Sequence, residues 1–179
     1  MIIINEYLQI KIIIDSLIVF DIDDTIMHFE GIDNKWWDNR YNKYLEKYDN
    51  DHKKAKSMAI KDWVNHVTEN NPKLINEENF REFIDRAYEN NCKIIFLTAR
   101  DHSLREITEN HFQICNLNDF IEDIYFSENK GLTLKEIINT QFNDVKNIIF
   151  IDDLERNLNS VKKEISESHE LQLYLFQHK

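Results

Sequence analysis

Four apolar residues, Leu17-Ile18-Val19-Phe20, run directly into Asp21-Ile22-Asp23-Asp24-Thr25. This stretch restricts the fold more than any other. A short unbroken run rich in Ile and Val reads as a strand buried on both faces, the pattern of a parallel sheet. Three carboxylates then lie just past its carboxyl end, the edge at which open α/β sheets bind ligands. Carboxylates crowded together there are costly unless a cation or a fixed positive charge offsets them. The rest of the chain must supply both the sheet and that charge.

The sheet comes by repetition. Ile94-Ile95-Phe96-Leu97 is a second buried run, ending on Thr98-Ala99-Arg100. Ile124-Tyr125-Phe126 is a short third, Ile148-Ile149-Phe150-Ile151 a fourth ending on Asp152-Asp153, and Leu171 to Phe176 a fifth. Helical stripes fall between them: Phe80, Phe83, Ile84, Ala87 and Tyr88, then Leu104, Ile107 and Phe112, then Leu134, Ile137 and Ile138, then Leu154, Leu158, Val161 and Ile165. Alternating strands and helices predict an α/β fold, a Rossmann-like three-layer sandwich around a central parallel five-stranded sheet. Residues 29–72 break the alternation. Trp37, Tyr41, Tyr44 and Tyr48 form one helical face, and Ile60, Trp63, Val64 and Val67 another, closed by Asn70-Asn71-Pro72. The predicted organisation is an α/β core from residues 1–28 and 73–179, with a helical insert at 29–72.

Composition narrows the function. The net charge of -11 argues against nucleic acid and anionic membrane surfaces as partners. Only two glycines, Gly31 and Gly131, are present, so no glycine-rich phosphate loop or dinucleotide fingerprint can form. The two cysteines, Cys92 and Cys115, are too few for a disulfide framework and read as buried reduced thiols. The apolar N-terminus lacks a basic leader and is interrupted by Asn5, Glu6, Gln9 and Lys11. It reads as a helix or strand beside the core, not as a signal or a membrane span, which predicts a cytoplasmic protein.

In a parallel sheet the strand ends share one edge, so Asp21, Asp23, Thr98 and Asp152 can meet although they are far apart in sequence. Glu128-Asn129-Lys130-Gly131 lies just beyond the third strand and offers Lys130 at that edge, with Lys135 one helical turn on as the competing lysine. Three close carboxylates repel by about 4 kcal/mol per pair at an effective dielectric near 20. A hard divalent cation, Mg²⁺ above all, suits such oxygen donors. With Lys130 it could hold a phosphoryl group, against which a carboxylate can act as nucleophile and a second carboxyl as acid and base.

The stretch Phe20-Asp21-Ile22-Asp23-Asp24-Thr25 resembles the first motif of the haloacid dehalogenase-like superfamily. Leu97-Thr98 is similar to its second motif, Lys130 to its third and Ile151-Asp152-Asp153 to its fourth, in the same order. The resemblance implies that Asp21 forms an aspartyl-phosphate and that Asp23 is the general acid and base, with its backbone carbonyl on Mg²⁺. It further implies that Thr98 and Lys130 steady the phosphoryl group and that Asp152 ligates the metal, with Asp153 an alternate ligand. The insert falls where superfamily members carry a small helical cap. A carboxylate two residues after the nucleophile places the sequence with the phosphatases and phosphomutases. Asp21-Ile22-Asp23-Asp24-Thr25, Leu97-Thr98-Ala99-Arg100, Asn129-Lys130-Gly131 and Ile151-Asp152-Asp153 together resemble a bacterial and viral branch of the superfamily, and Trp36-Trp37 after the first motif fits it.

The expected activity is a Mg²⁺-dependent phosphatase acting on a phosphorylated small molecule or protein side chain. Phosphotransfer or mutase chemistry is the alternative within the superfamily. A phospho-receiver or other non-catalytic phosphate-binding module is the alternative outside it. A receiver, however, keeps its acceptor Asp on a middle strand, where this chain has Thr98. Arg100 reads either as a substrate-anion ligand or as a surface ion pair. Trp37 reads either as a substrate-facing residue or as packing for the insert. Asp153 reads as a ligand or as a cap for the helix that follows.

Overall fold

The computed structural model describes residues 1–177. In chain order the elements are β1 (Ile2–Ile4), β2 (Leu17–Phe20), β3 (Met27–His28), α1 (Asn34–Lys47), α2 (His52–Glu69), β4 (Lys73–Leu74) and α3 (Glu77–Glu89). They continue with β5 (Lys93–Thr98), α4 (Arg105–Ile114), β6 (Ile124–Phe126), α5 (Lys130–Gln141), β7 (Asn147–Asp152), α6 (Glu155–Ile165) and β8 (Glu170–Phe176). The chain divides into two compact units, Met1–Met27 with Leu74–Lys179, and His28–Lys73.

The larger unit is an α/β sandwich. Six strands lie in the order β1-β8-β7-β2-β5-β6, and every pairing is parallel. The period of two in each strand sorts side chains onto opposite faces. Ile18 and Phe20 of β2 join Phe96, Phe80, Phe83 and Phe112 in one core, beneath α3 and α4. Leu17 and Val19 join Ile95, Phe150, Leu134 and Val161 in the other, beneath α5 and α6. Helices on both faces explain why the strands are apolar throughout instead of alternating.

The sheet has one strand more than the sequence reading allowed. Residues 2–4 pair with residues 174–176 of β8 and form its edge, with Ile2 and Ile3 exposed. Three isoleucines carry no periodicity, and their partner lies at the far end of the chain, so only tertiary pairing defines this strand. Behind it the Tyr7 ring stacks on Phe176 with centroids 4.8 Å apart, and the Tyr7 hydroxyl donates to the Thr25 carbonyl at 2.7 Å. The N-terminal segment thereby braces the turn that follows β2.

With two glycines available, the chain uses other residues for its left-handed turns. Asp15, Asp24, Asp49, Asn50, Asn76, Asn91 and Asn116 all have positive φ. Asn and Asp tolerate that region better than other residues with a Cβ, because their short polar side chains bond locally.

The smaller unit holds α1 and α2, whose contact centres on Tyr44, Ala55 and Ala59, with Trp37, Tyr41, Leu45, Tyr48 and Met58 packed around them. The aromatic face of α1 is as predicted, whereas α2 meets it with alanines and leaves Ile60 exposed. Large rings on one helix need small residues on its neighbour, a pairing that hydropathy alone does not reveal. Among the described residues no helix is long and apolar enough to cross a membrane.

Candidate active site

Parallel register brings the strand ends level. Phe20 of β2 lies opposite Phe96 on one side and Ile151 on the other. The next residue, Asp21, donates its backbone N–H to the Ile151 carbonyl at 2.9 Å. Asp21 and Asp152 therefore leave neighbouring strands at the same height, and Thr98 ends β5 beside them.

After Asp21 the chain turns sharply. The N–H groups of Ile26 and Met27 both donate to the Ile22 carbonyl at 3.0 Å, and Asp24 takes the left-handed position with φ 56°. Asp24 thus shapes the turn that presents Asp21 and Asp23.

Lys130 supplies the fixed positive charge. Its ammonium, 1% exposed, donates to Asp21 Oδ1 at 2.5 Å and to Asp152 Oδ2 at 2.7 Å. Burial alone would lower its pKa, but Asp21 and Asp152 outweigh that and hold it above the ordinary lysine range. Lys135, the competing lysine, instead pairs with Glu164 at 3.4 Å. Gly131 explains the seating of α5. A Cβ there would come within 2.4 Å of the Ser160 carbonyl oxygen, so only glycine lets α5 approach α6 this closely.

Asp152 is fully buried and heavily bonded. Its Oδ1 accepts from the Leu154 N–H and from Asn157 Nδ2, each at 2.9 Å. Asn157, one turn into α6, was not singled out from sequence. Its spacing of five from a strand-end Asp is a faint signal, and its role appears only when the helix folds back over Asp152. The Leu154 N–H, just ahead of α6, thus goes to Asp152, and no side chain caps α6, so Asp153 does not serve as its cap. Among the described residues nothing donates a hydrogen bond to the Asp153 carboxylate.

Asp21, Asp152 and Asp153 each offer a carboxylate oxygen, all within 4.8 Å of one another. Burial pushes Asp21 up to about 7; Lys130 opposes this, while Asp152 and Asp23 add to it. Burial pushes Asp153 further, to about 9, reinforced by the charges of Asp21, Asp152 and Asp24. One lysine does not neutralise three such acids. An oxygen-only donor set with excess negative charge fits a hard divalent cation such as Mg²⁺. It groups Asp153 with Asp21 and Asp152, while the Asp23 carboxylate is engaged elsewhere.

That engagement corrects the reading of Arg100. The residue is buried, and its ion pair is with Asp23. Its Nε donates to Asp23 Oδ2 at 2.8 Å and its Nη2 to Asp23 Oδ1 at 2.7 Å, a two-pronged clamp. Thr98 is also buried, and its Oγ1 accepts the Arg100 N–H at 3.1 Å. Trp37 lies in the second unit, half-buried in its small core.

A family model described as "Protein of unknown function (DUF2608)" matches residues 3–123 and 124–179. The chain belongs to this family. No curated protein matches its sequence. Among solved structures it is similar to a haloacid dehalogenase-like family hydrolase from Xanthomonas campestris. That likeness has a TM-score of 0.57 at 13% identity, over 93% of this chain and 86% of that one. A class C acid phosphatase from Bacillus anthracis aligns with a TM-score of 0.48 at 14% identity, over 90% of this chain and 66% of that one. The Xanthomonas likeness establishes a haloacid dehalogenase-like fold for the DUF2608 chain.

Proposed function

We propose that the protein is a Mg²⁺-dependent phosphomonoesterase that works through an aspartyl-phosphate on Asp21. One observation carries the reading: a buried lysine bridges two strand-end aspartates, and a third carboxylate lies beside them with no donor among the described residues. Asp21, Asp152, Asp153 and the Asp23 backbone carbonyl would hold the cation. When bound, it would supply the positive charge that draws a phosphoryl group against the carboxylates.

The steps follow from the side chains. Lys130 holds Asp21 Oδ1, while Oδ2 accepts the Thr25 hydroxyl in a long bond of 3.5 Å and is the oxygen that attacks phosphorus. As the Asp21–phosphorus bond forms, the bond to the ester oxygen breaks, and Asp23 delivers a proton to that leaving oxygen. Water then attacks phosphorus, gives its proton to Asp23, and frees Asp21. Thr98 accepts through its oxygen from Arg100 N–H, and its own O–H can donate to a phosphoryl oxygen. The substrate is a small phosphorylated molecule or a phosphorylated protein side chain.

The test is a panel of phosphate esters with released phosphate as the readout, run with Mg²⁺, with EDTA, and with Asp21→Asn. Turnover should need Mg²⁺ and should fall by at least about 1,000-fold in Asp21→Asn. Turnover that survives Asp21→Asn contradicts the covalent route.

A further inference from the structure

Arg100 is a guanidinium with 1% side-chain exposure, paired with a carboxylate that is 26% exposed. The pairing is lopsided. A partly exposed aspartate needs no buried arginine to satisfy it, yet the chain has spent buried polar positions on securing that arginine. Its third nitrogen, Nη1, donates to Thr108 Oγ1 at 3.0 Å and to His111 Nδ1 at 3.1 Å. Thr108 and His111 are buried on the inner face of α4, where apolar side chains would otherwise pack. Thr108 is fixed in turn, because its hydroxyl donates to the Leu104 carbonyl at 2.8 Å. Arginine only donates, so His111 Nδ1 accepts and the imidazole proton sits on Nε2. A chain of hydrogen bonds thus runs from α4 through Arg100 to both oxygens of Asp23.

A planar fork fixes the plane of the carboxylate it grips, which a lysine cannot do. Each carboxylate oxygen has two lone-pair directions. The fork takes one on each and leaves the other outward, so the fork decides where Asp23 can deliver or receive a proton. The three guanidinium nitrogens bond within the protein, which separates Arg100 from a substrate ligand.

We propose that Arg100, anchored by Thr108 and His111, is a positioning residue that aims the Asp23 carboxyl for proton transfer. The proposal rests on the phosphatase reading above and acts wholly through Asp23. Misaiming a catalytic group by about 1 Å can cost about 100-fold in rate.

The experiment is a kinetic double-mutant cycle on an alkyl and an aryl phosphate, with Arg100→Gln made in the wild-type and in the Asp23→Asn backgrounds. In wild type, Arg100→Gln should lower kcat by about 100-fold with KM within about twofold. In Asp23→Asn the same change should cost less than about threefold, because its target is already gone. Arg100→Lys, which keeps the charge without the fork, should stay near Arg100→Gln. Thr108→Val is the gentler variant should Arg100→Gln fail to fold; it should lower kcat by about 3–10-fold at unchanged KM. Equal losses in both backgrounds, a dominant rise in KM, or full activity in Arg100→Lys overturns the positioning role alone. A wild-type protein inert on every ester overturns the phosphatase reading and this one with it.

Discussion

Lys130 is the residue on which the site balances. It bridges Asp21 and Asp152 from a buried position, and truncating one partner of a buried ion pair strands the others. Lys130→Met should destabilise the metal-free protein by about 3–5 kcal/mol in urea unfolding. Added Mg²⁺ should recover part of that loss, since a cation takes over the same charge. A loss under about 1 kcal/mol would mean that the lysine does not compensate the two carboxylates. Asn157 acts on the other side of Asp152, bonding both oxygens at 2.9 and 3.1 Å. Among the described residues Asp153 has no such donor, which makes it the acid with most to gain from a cation.

At the scale of elements, the turns show how a glycine-poor chain closes its helices. After α4, Asn116 has φ 54°, and the Leu117 N–H donates back to the Phe112 carbonyl at 2.8 Å, the closure of a left-handed helix end. Asn116→Gly should raise stability by about 0.5–1 kcal/mol, and Asn116→Val should lower it by about 1–2 kcal/mol, both read from thermal unfolding. Opposite signs would contradict the turn. The elements also show what sequence could and could not reveal. Apolar runs ending in polar, chemically capable residues marked β2, β5 and β7, with acids after β2 and β7 and Thr98 after β5, because buried parallel strands need continuous hydrophobicity and the site needs its polar groups at their ends. The same logic found Asp21, Asp152 and Lys130. It missed β1, whose pairing is non-local, and the alanine face of α2, whose fit depends on the rings of α1. It also missed Thr108 and His111. They lie three apart on a helix whose apolar stripe was sought in Leu104, Ile107 and Phe112. Their place on the buried face makes sense only once Arg100 is seen reaching them. Arg100 is legible as an ion-pair former, but not the burial of that pair on Asp23, since sequence does not show which way a long side chain turns.

At the scale of the whole molecule, the site carries a stability cost that depends on pH. Asp21 and Asp153 have folded pKa values raised from 3.8 to about 7 and about 9, chiefly by burial. Both bind a proton more tightly folded than unfolded. Their contribution therefore favours folding at low pH and is lost as pH rises from 3.8 through about 7 for Asp21, and on to about 9 for Asp153. Without metal, Asp153→Asn should stabilise the protein at pH 8 by about 1–3 kcal/mol and do little at pH 4. Mg²⁺ should raise the wild-type Tm at pH 8 and leave it nearly unchanged at pH 4, where protons already occupy the carboxyls. Thermal unfolding with EDTA or Mg²⁺ at both values checks the sign; an Asp153→Asn protein less stable at pH 8 without metal would contradict it. The two helix-covered cores hold this strain because the sheet between them fixes the strand ends in register.

In the proposed mechanism Asp21 carries the phosphoryl group. Asp23→Asn protein, which lacks the base for the second step, is mixed with an activated aryl phosphate and Mg²⁺, quenched in acid, digested, and mapped by mass spectrometry. A covalent route through Asp21 predicts one phosphoryl group on the peptide containing Asp21, and none on that peptide from Asp21→Asn protein. A phosphoryl group on any other residue, or aryl release from the wild-type protein with Asp21 never modified, would contradict it.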